Sequence, residues 1–172
     1  MKIPLFWVFL VALVFFCLVW LTDYSEANSQ MDAVASTFAQ HEVKVVCDPQ
    51  DEMFKSAWGY VYLTDPLTLN EAPYLCAALE NVNDGLYGLS RRALAILVLI
   101  HESYHQRLPW GDRGDEAKVE CKAIRHFRYG AQFLGASPEF ATALRAYALV
   151  WHWRLAAKYP EYNLEGCKVP NP

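Results

Sequence analysis

Eight apolar residues in succession, Ala93-Leu94-Ala95-Ile96-Leu97-Val98-Leu99-Ile100, run directly into His101-Glu102-Ser103-Tyr104-His105. A helix from Arg91 to about Arg107 is apolar almost all round as far as Ile100, so it must lie in the core with other elements packed about it. Ser90 reads as its N-cap, and Pro109 and Gly111 stop it. Any fold of this chain is built around that helix. Its far end carries two histidines and a glutamate, which are costly to bury without partners.

The flanking sequence supplies the cover. Met31, Val34, Ala35 and Phe38 recur at helical spacing. Val43–Cys47 and Trp58–Leu63 are rich in β-formers and are separated by a polar turn region containing Asp48-Pro49, with Leu67–Leu69 as a third strand candidate. Pro73 opens a short helix to Glu80, and Asn83-Asp84-Gly85 with Gly88 breaks the chain before the central helix. After a short loop, Trp110–Gly114, one helix is expected from about Asp115 to Leu134. Another is expected from Pro138 to Lys158, capped by Ser137 and ended by Pro160. The class is α+β and mainly helical: a small N-terminal β element followed by a bundle of three long helices that carries the His101–His105 segment.

Residues 1–21 stand apart from this domain. Ile3–Leu21 is free of charge and about 19 residues long, roughly the length that spans a bilayer as a helix. Trp7 and Trp20 near its ends suit the two membrane interfaces, which favours a retained transmembrane anchor. The alternative is a signal segment cut near Ala27, where Ser25 and Ala27 offer small residues. Lys2 and the amino terminus are the only positive charges before the run, and Asp23 and Glu26 follow it, so the remainder is expected outside the cytoplasm. The organisation is then an anchor or signal (1–21), a polar linker (22–30) and one extracytoplasmic domain (31–172).

Cysteine usage agrees with that side of the membrane. Apart from Cys17 in the apolar run, Cys47, Cys76, Cys121 and Cys167 make an even set suited to two disulfides. Of the three possible pairings, Cys47–Cys76 with Cys121–Cys167 is preferred, because it staples each half locally and ties down the tail. No CxxC spacing offers a thiolate metal site. The net charge of −4 becomes −5 once Lys2 goes with the apolar run, so nucleic acid is not an expected partner. Arg91 with Arg92 and Arg125 with Arg128 read as solvated helix faces, and His41, His126 and His152 as surface or structural residues.

The chemistry lies in His101-Glu102-Ser103-Tyr104-His105. Residues four apart on a helix are separated by about 40° around the axis and about 6 Å along it, so His101 and His105 can grip one ion. Zinc accepts neutral imidazole nitrogens and, in catalytic sites, takes a third protein ligand and a water. Glu102, about 100° further round, can reach that water as general base without ligating the ion. Chance would produce an HExxH pattern on the order of once in a hundred sequences of this composition. The tight reversal after Leu108 points to Asp115-Glu116-Ala117-Lys118-Val119-Glu120, where Glu116 and Glu120 share one face of the returning helix and either could complete the site.

His101-Glu102-x-x-His105 followed by Glu116 on the next helix resembles the gluzincin branch of the zincin metallopeptidases. That resemblance covers residues 101–120 and implies His101, His105 and Glu116 as zinc ligands and Glu102 as the base. It also implies Glu120 as the carboxylate that supports a ligating histidine. The interval to Glu116 is shorter than in larger members, and the supporting position holds Glu where the family has Asp or Asn, so Glu120 stays open as the alternative ligand. The segment is also similar to small actinobacterial extracytoplasmic proteins with HEx(W/Y)H and a following E-A-x-x-E-C. The implied activity is zinc-dependent hydrolysis of a peptide or protein substrate, by an enzyme anchored through residues 3–21 or secreted. Tyr104, Arg113, Tyr147 and Tyr162 are open candidates for the oxyanion donor. The alternative reading is a non-catalytic structural or interaction module stapled by two disulfides, with or without a structural zinc.

Overall fold

The computed structural model describes residues 30–47, 58–62, 67–83, 85–108, 115–164 and 167. The apolar run 1–21, the linker up to residue 29, the Asp48-Pro49 turn, the loop at 109–114 with Arg113, and the last five residues lie outside that set. Among the described residues no helix is long and apolar enough to cross a membrane.

The chain is mainly helical around α3, Leu89–Arg107. Every residue from Ala93 to Ile100 is buried, as a helix without a polar face requires. Cover comes from α1 (30–39), whose Met31, Val34, Ala35 and Phe38 all point inward, and from α2 (Pro73–Glu80), α4 (Glu116–Phe133) and α5 (Pro138–Lys158). On α4 the buried stripe is Val119, Ala123, Ile124, Phe127 and Ala131, while Arg125, Arg128 and Tyr129 face water. Gly130 lets α4 come close to α3: a Cβ there would sit 2.5 Å from Ile100 Cδ1 and 3.3 Å from Phe38 Cε2.

A small sheet closes one side. β1 (Val43–Val46) pairs in parallel with β3 (Leu67–Glu71), and β3 pairs antiparallel with β2 (Gly59–Tyr62), in the order β1-β3-β2. β1 is also stitched to α1. Ser36 Oγ accepts from the Val43 amide at 2.9 Å, and Asp32 Oδ1 accepts from the Val45 amide at 2.7 Å. Val43 and Val45 are buried and Lys44 and Val46 are turned out, the alternation of a half-buried strand. Cys47 at the end of β1 is bonded to Cys76 on α2 across 6.1 Å between Cα atoms, and Cys121 on α4 to Cys167 in the tail across 5.8 Å.

Two local expectations change. The central helix begins at Leu89 with Gly88 as its cap. Ser90 sits within the first turn, and its hydroxyl instead accepts the Trp151 indole N–H at 2.8 Å. Arg92 is not solvated: it is 6% exposed, donates from Nη1 to the Val82 carbonyl at 2.7 Å and lies 5.1 Å from the Phe140 ring centroid. After α5, Pro160–Tyr162 forms a 3-10 turn packed against α4 and α5.

Candidate metal centre

α3 ends and α4 begins at the same place, so the two polar helix ends meet. Asp115 caps α4 by accepting from the Lys118 amide at 3.0 Å, which sets the first turn with Glu116 on the side facing α3. His101 Nε2 then lies 3.0 Å from His105 Nε2 and 3.1 Å from Glu116 Oε2, and His105 Nε2 lies 3.4 Å from Glu116 Oε2. Zinc bound tetrahedrally at about 2.0–2.1 Å needs ligand atoms roughly 3.3–3.4 Å apart. The three donors already form such a triangle to within a few tenths of an ångström, and they are the group among the described residues that could hold a metal ion. Their chemistry agrees, since imidazole nitrogens and a carboxylate suit zinc.

Glu120 stands on the other side of His101. Its Oε2 accepts from His101 Nδ1 at 2.8 Å, and it is 1% exposed. A proton on Nδ1 leaves the Nε2 lone pair for an ion, so Glu120 sets the tautomer that ligation needs and lies away from the donor triangle. The second Glu120 oxygen, Oε1, accepts from His152 Nδ1 on α5 at 3.1 Å.

Electrostatics follow these contacts. Burial alone would lower the His101 pKa, but hydrogen bonds to Glu116 and Glu120 prevail and push it up to about 10. Burial would raise Glu116, but its contacts with His101 and His105 hold the carboxyl well below the usual range. Burial opposes Glu120 in the same way, and His101 and His152 bring it down. Burial raises the Glu102 carboxyl above its ordinary value, against the pull of His101 and His105.

The centre opens onto a cleft of about 670 Å³. α3 contributes Leu94, Leu97, Val98, His101 and Glu102, and the facing wall is Trp151, Arg154, Leu155 and Lys158 from α5. Trp58 and Gly59, at the start of edge strand β2, close one end. Tyr162 closes the other: its ring stacks on His101 with centroids 5.9 Å apart and planes at 28°, and its hydroxyl donates to Glu116. Burial and the neighbouring carboxylates raise that hydroxyl well above its ordinary range, so it stays protonated.

Of the oxyanion-donor candidates, Tyr162 is the described one that lies in the cleft. Tyr104 is 2% exposed and points away, with its hydroxyl 2.9 Å from His126 Nδ1; Tyr147 is 41% exposed. His41 Nε2 lies 3.1 Å from Gln106 Oε1 and is not one of the three donors. Of the surface or structural readings of His152, the surface one does not hold. It is 1% exposed, belongs to the cleft wall, and its Nε2 has no hydrogen-bond partner among the described residues. A signal for it exists in the sequence: Ala141, Leu144, Arg145, Ala148 and His152 follow the i, i+3, i+4, i+7, i+11 rule, placing His152 on the inward stripe of α5.

No family model, curated protein or solved structure matches this chain.

Proposed function

We propose that this chain is a zinc-dependent peptidase. The observation that supports the reading is the triangle of His101 Nε2, His105 Nε2 and Glu116 Oε2, with Glu102 in the cleft beside it. When bound there, zinc supplies Lewis acidity that polarises a carbonyl and brings the pKa of water toward 7. The remaining work falls to the chain itself. Glu102 takes the proton from the attacking water and returns it to the leaving amine. Glu120 keeps His101 in the ligating tautomer. Tyr162 offers an O–H to the oxygen that gains charge. Strand β2, at the edge of the sheet among the described residues, lies by the cleft and suits an extended peptide, since a sheet edge can take main-chain hydrogen bonds. Two disulfides accord with an extracytoplasmic setting, tethered through residues 3–21 or secreted after cleavage near Ala27.

The deciding experiment is Glu102→Gln in zinc-replete protein. Stoichiometric zinc with hydrolysis of a peptide library reduced at least a hundredfold is expected, and undiminished zinc-dependent cleavage by E102Q would overturn the mechanism. A second reading is favoured by Tyr162, a protein group already lying against the donors: a structural zinc that joins α3 to α4. In that case all four positions are filled by protein, and cobalt-substituted protein would show no spectral response to a hydroxamate; a catalytic site responds.

A further inference from the structure

The two walls of the cleft differ in kind. On α3 the stripe Leu94, Leu97, Val98 leads into His101 and Glu102 within one helix face, so the apolar floor ends at the metal centre. At about 1.5 Å per residue, Leu94 to His101 spans roughly 10 Å, the length of about three residues of an extended peptide. On α5 the lining residues Trp151, Arg154, Leu155 and Lys158 follow helical spacing and bring two cations one turn apart to the rim. Neither cation pairs with a carboxylate among the described residues. The Arg154 guanidinium lies 5.7 Å from the Trp151 ring centroid, and the Lys158 ammonium 4.8 Å from that of Tyr159. Cations held over aromatic faces remain free to meet an anion.

The anions of the same cleft are mostly engaged. Glu120 is taken by His101 and His152, and Glu102 is assigned to proton transfer. Glu161 is exposed at the mouth. Like charges four residues apart on a helix repel, so Arg154 and Lys158 carry an electrostatic cost that an incoming carboxylate removes. They also stand out on a chain whose net charge is −4.

Resting on the peptidase reading, we propose that the cleft selects peptides with a carboxylate, whether an acidic side chain or a free C-terminus, within about three residues of the scissile bond, with an apolar residue seated on Leu94, Leu97 and Val98. Arg154 and Lys158 are the specificity-determining cations. They act on binding and leave turnover to the metal centre.

The test uses zinc-loaded E102Q for binding and the wild-type holoenzyme for cleavage. The ligands are apolar-centred peptides in matched sets: internal Asp with an amidated end, internal Asn with a free end, and internal Asn with an amidated end. Either carboxylate peptide should bind roughly three- to tenfold more tightly than the uncharged one at low salt, and the preference should shrink as salt rises. Arg154→Glu with Lys158→Glu should abolish or invert the preference while zinc content stays unchanged. Comparing the first two peptides shows which carboxylate is read. Equal binding of all three, or a preference that survives in R154E/K158E, overturns the proposal. Carboxylate preference without any hydrolysis by wild type would sink the peptidase reading alone, whereas hydrolysis without the preference would sink this one alone.

Discussion

His101 and His152, on different helices, are held by the two oxygens of one carboxylate: Glu120 accepts from His101 Nδ1 at 2.8 Å and from His152 Nδ1 at 3.1 Å. The candidate metal site and the cleft wall are therefore joined through a single carboxylate that is itself 1% exposed. Glu120→Gln keeps the size but replaces one acceptor oxygen with an amide donor, which opposes the N–H it must meet. Zinc affinity should fall by roughly 10- to 100-fold with the three donors intact, measured by chelator competition. An unchanged affinity would show that the carboxylate does not orient His101.

Zinc should also stabilise the fold, because its donors lie on two helices that separate on unfolding. At a free zinc concentration of one hundred times Kd, the gain is about 2.7 kcal/mol. For a domain of this size that corresponds to a rise in Tm of roughly 5–10 °C. Thermal scans with and without a chelator test it, and Glu116→Ala should remove the zinc response, with the chelated baseline also lowered because the contacts of Glu116 with His101 and His105 are lost.

Tyr162→Phe separates the hydroxyl from the ring. The ring stack on His101 survives, so zinc should be retained, while kcat should fall by about 10- to 100-fold with little change in KM if the hydroxyl meets developing charge. Loss of zinc without a separate effect on kcat would move Tyr162 to a purely structural role.

The tail that carries Tyr162 is tied to α4 through Cys121–Cys167. Replacing both cysteines by alanine should lower stability by about 2–4 kcal/mol. Activity should drop along with the population of ordered Tyr162. Urea titration and peptide cleavage under reducing and non-reducing conditions would expose an effect confined to one of the two.

Gly130→Ala probes the contact behind the centre. A Cβ there meets Ile100 Cδ1 at 2.5 Å, one residue from His101. Overpacking costs about 1–3 kcal/mol, and the better helix propensity of alanine returns about 1 kcal/mol. A net loss of about 1 kcal/mol is expected, read as a fall of roughly 2–4 °C in Tm. A rise in Tm would mean that Ile100 re-orients freely.

Much of this arrangement was legible in the chain. Pro73, Ser137-Pro138 and Pro160 carry strong local signals, and the helices Pro73–Glu80 and Pro138–Lys158 have the expected limits. The i, i+4 histidines and the acidic pair on the returning helix needed only helix geometry and a short connection. What could not be read was tertiary. Ser90 had the chemistry of a cap, but the Trp151 indole, distant in sequence, claims its hydroxyl. Arg92 resembled its solvated neighbour Arg91 until the Val82 carbonyl and the Phe140 ring enclosed it. His152 lay on an inward stripe, yet its meeting with Glu120 depends on how α5 crosses α3 and α4. Tyr162 follows the last periodic segment, and no local pattern could bring it back over His101.

The division of the cleft between helices has a consequence for how such a protein can diversify. Under the proposed reading metal ligation and proton transfer fall to α3 and α4, while the facing cleft wall lies on α5, where among the described residues His152 is the one bonded to Glu120. Under that reading substitutions at positions 154, 155 and 158 would retarget the cleft, whereas Trp151 is also held by Ser90. The donor triangle keeps its geometry throughout, provided that one inward histidine stays in place.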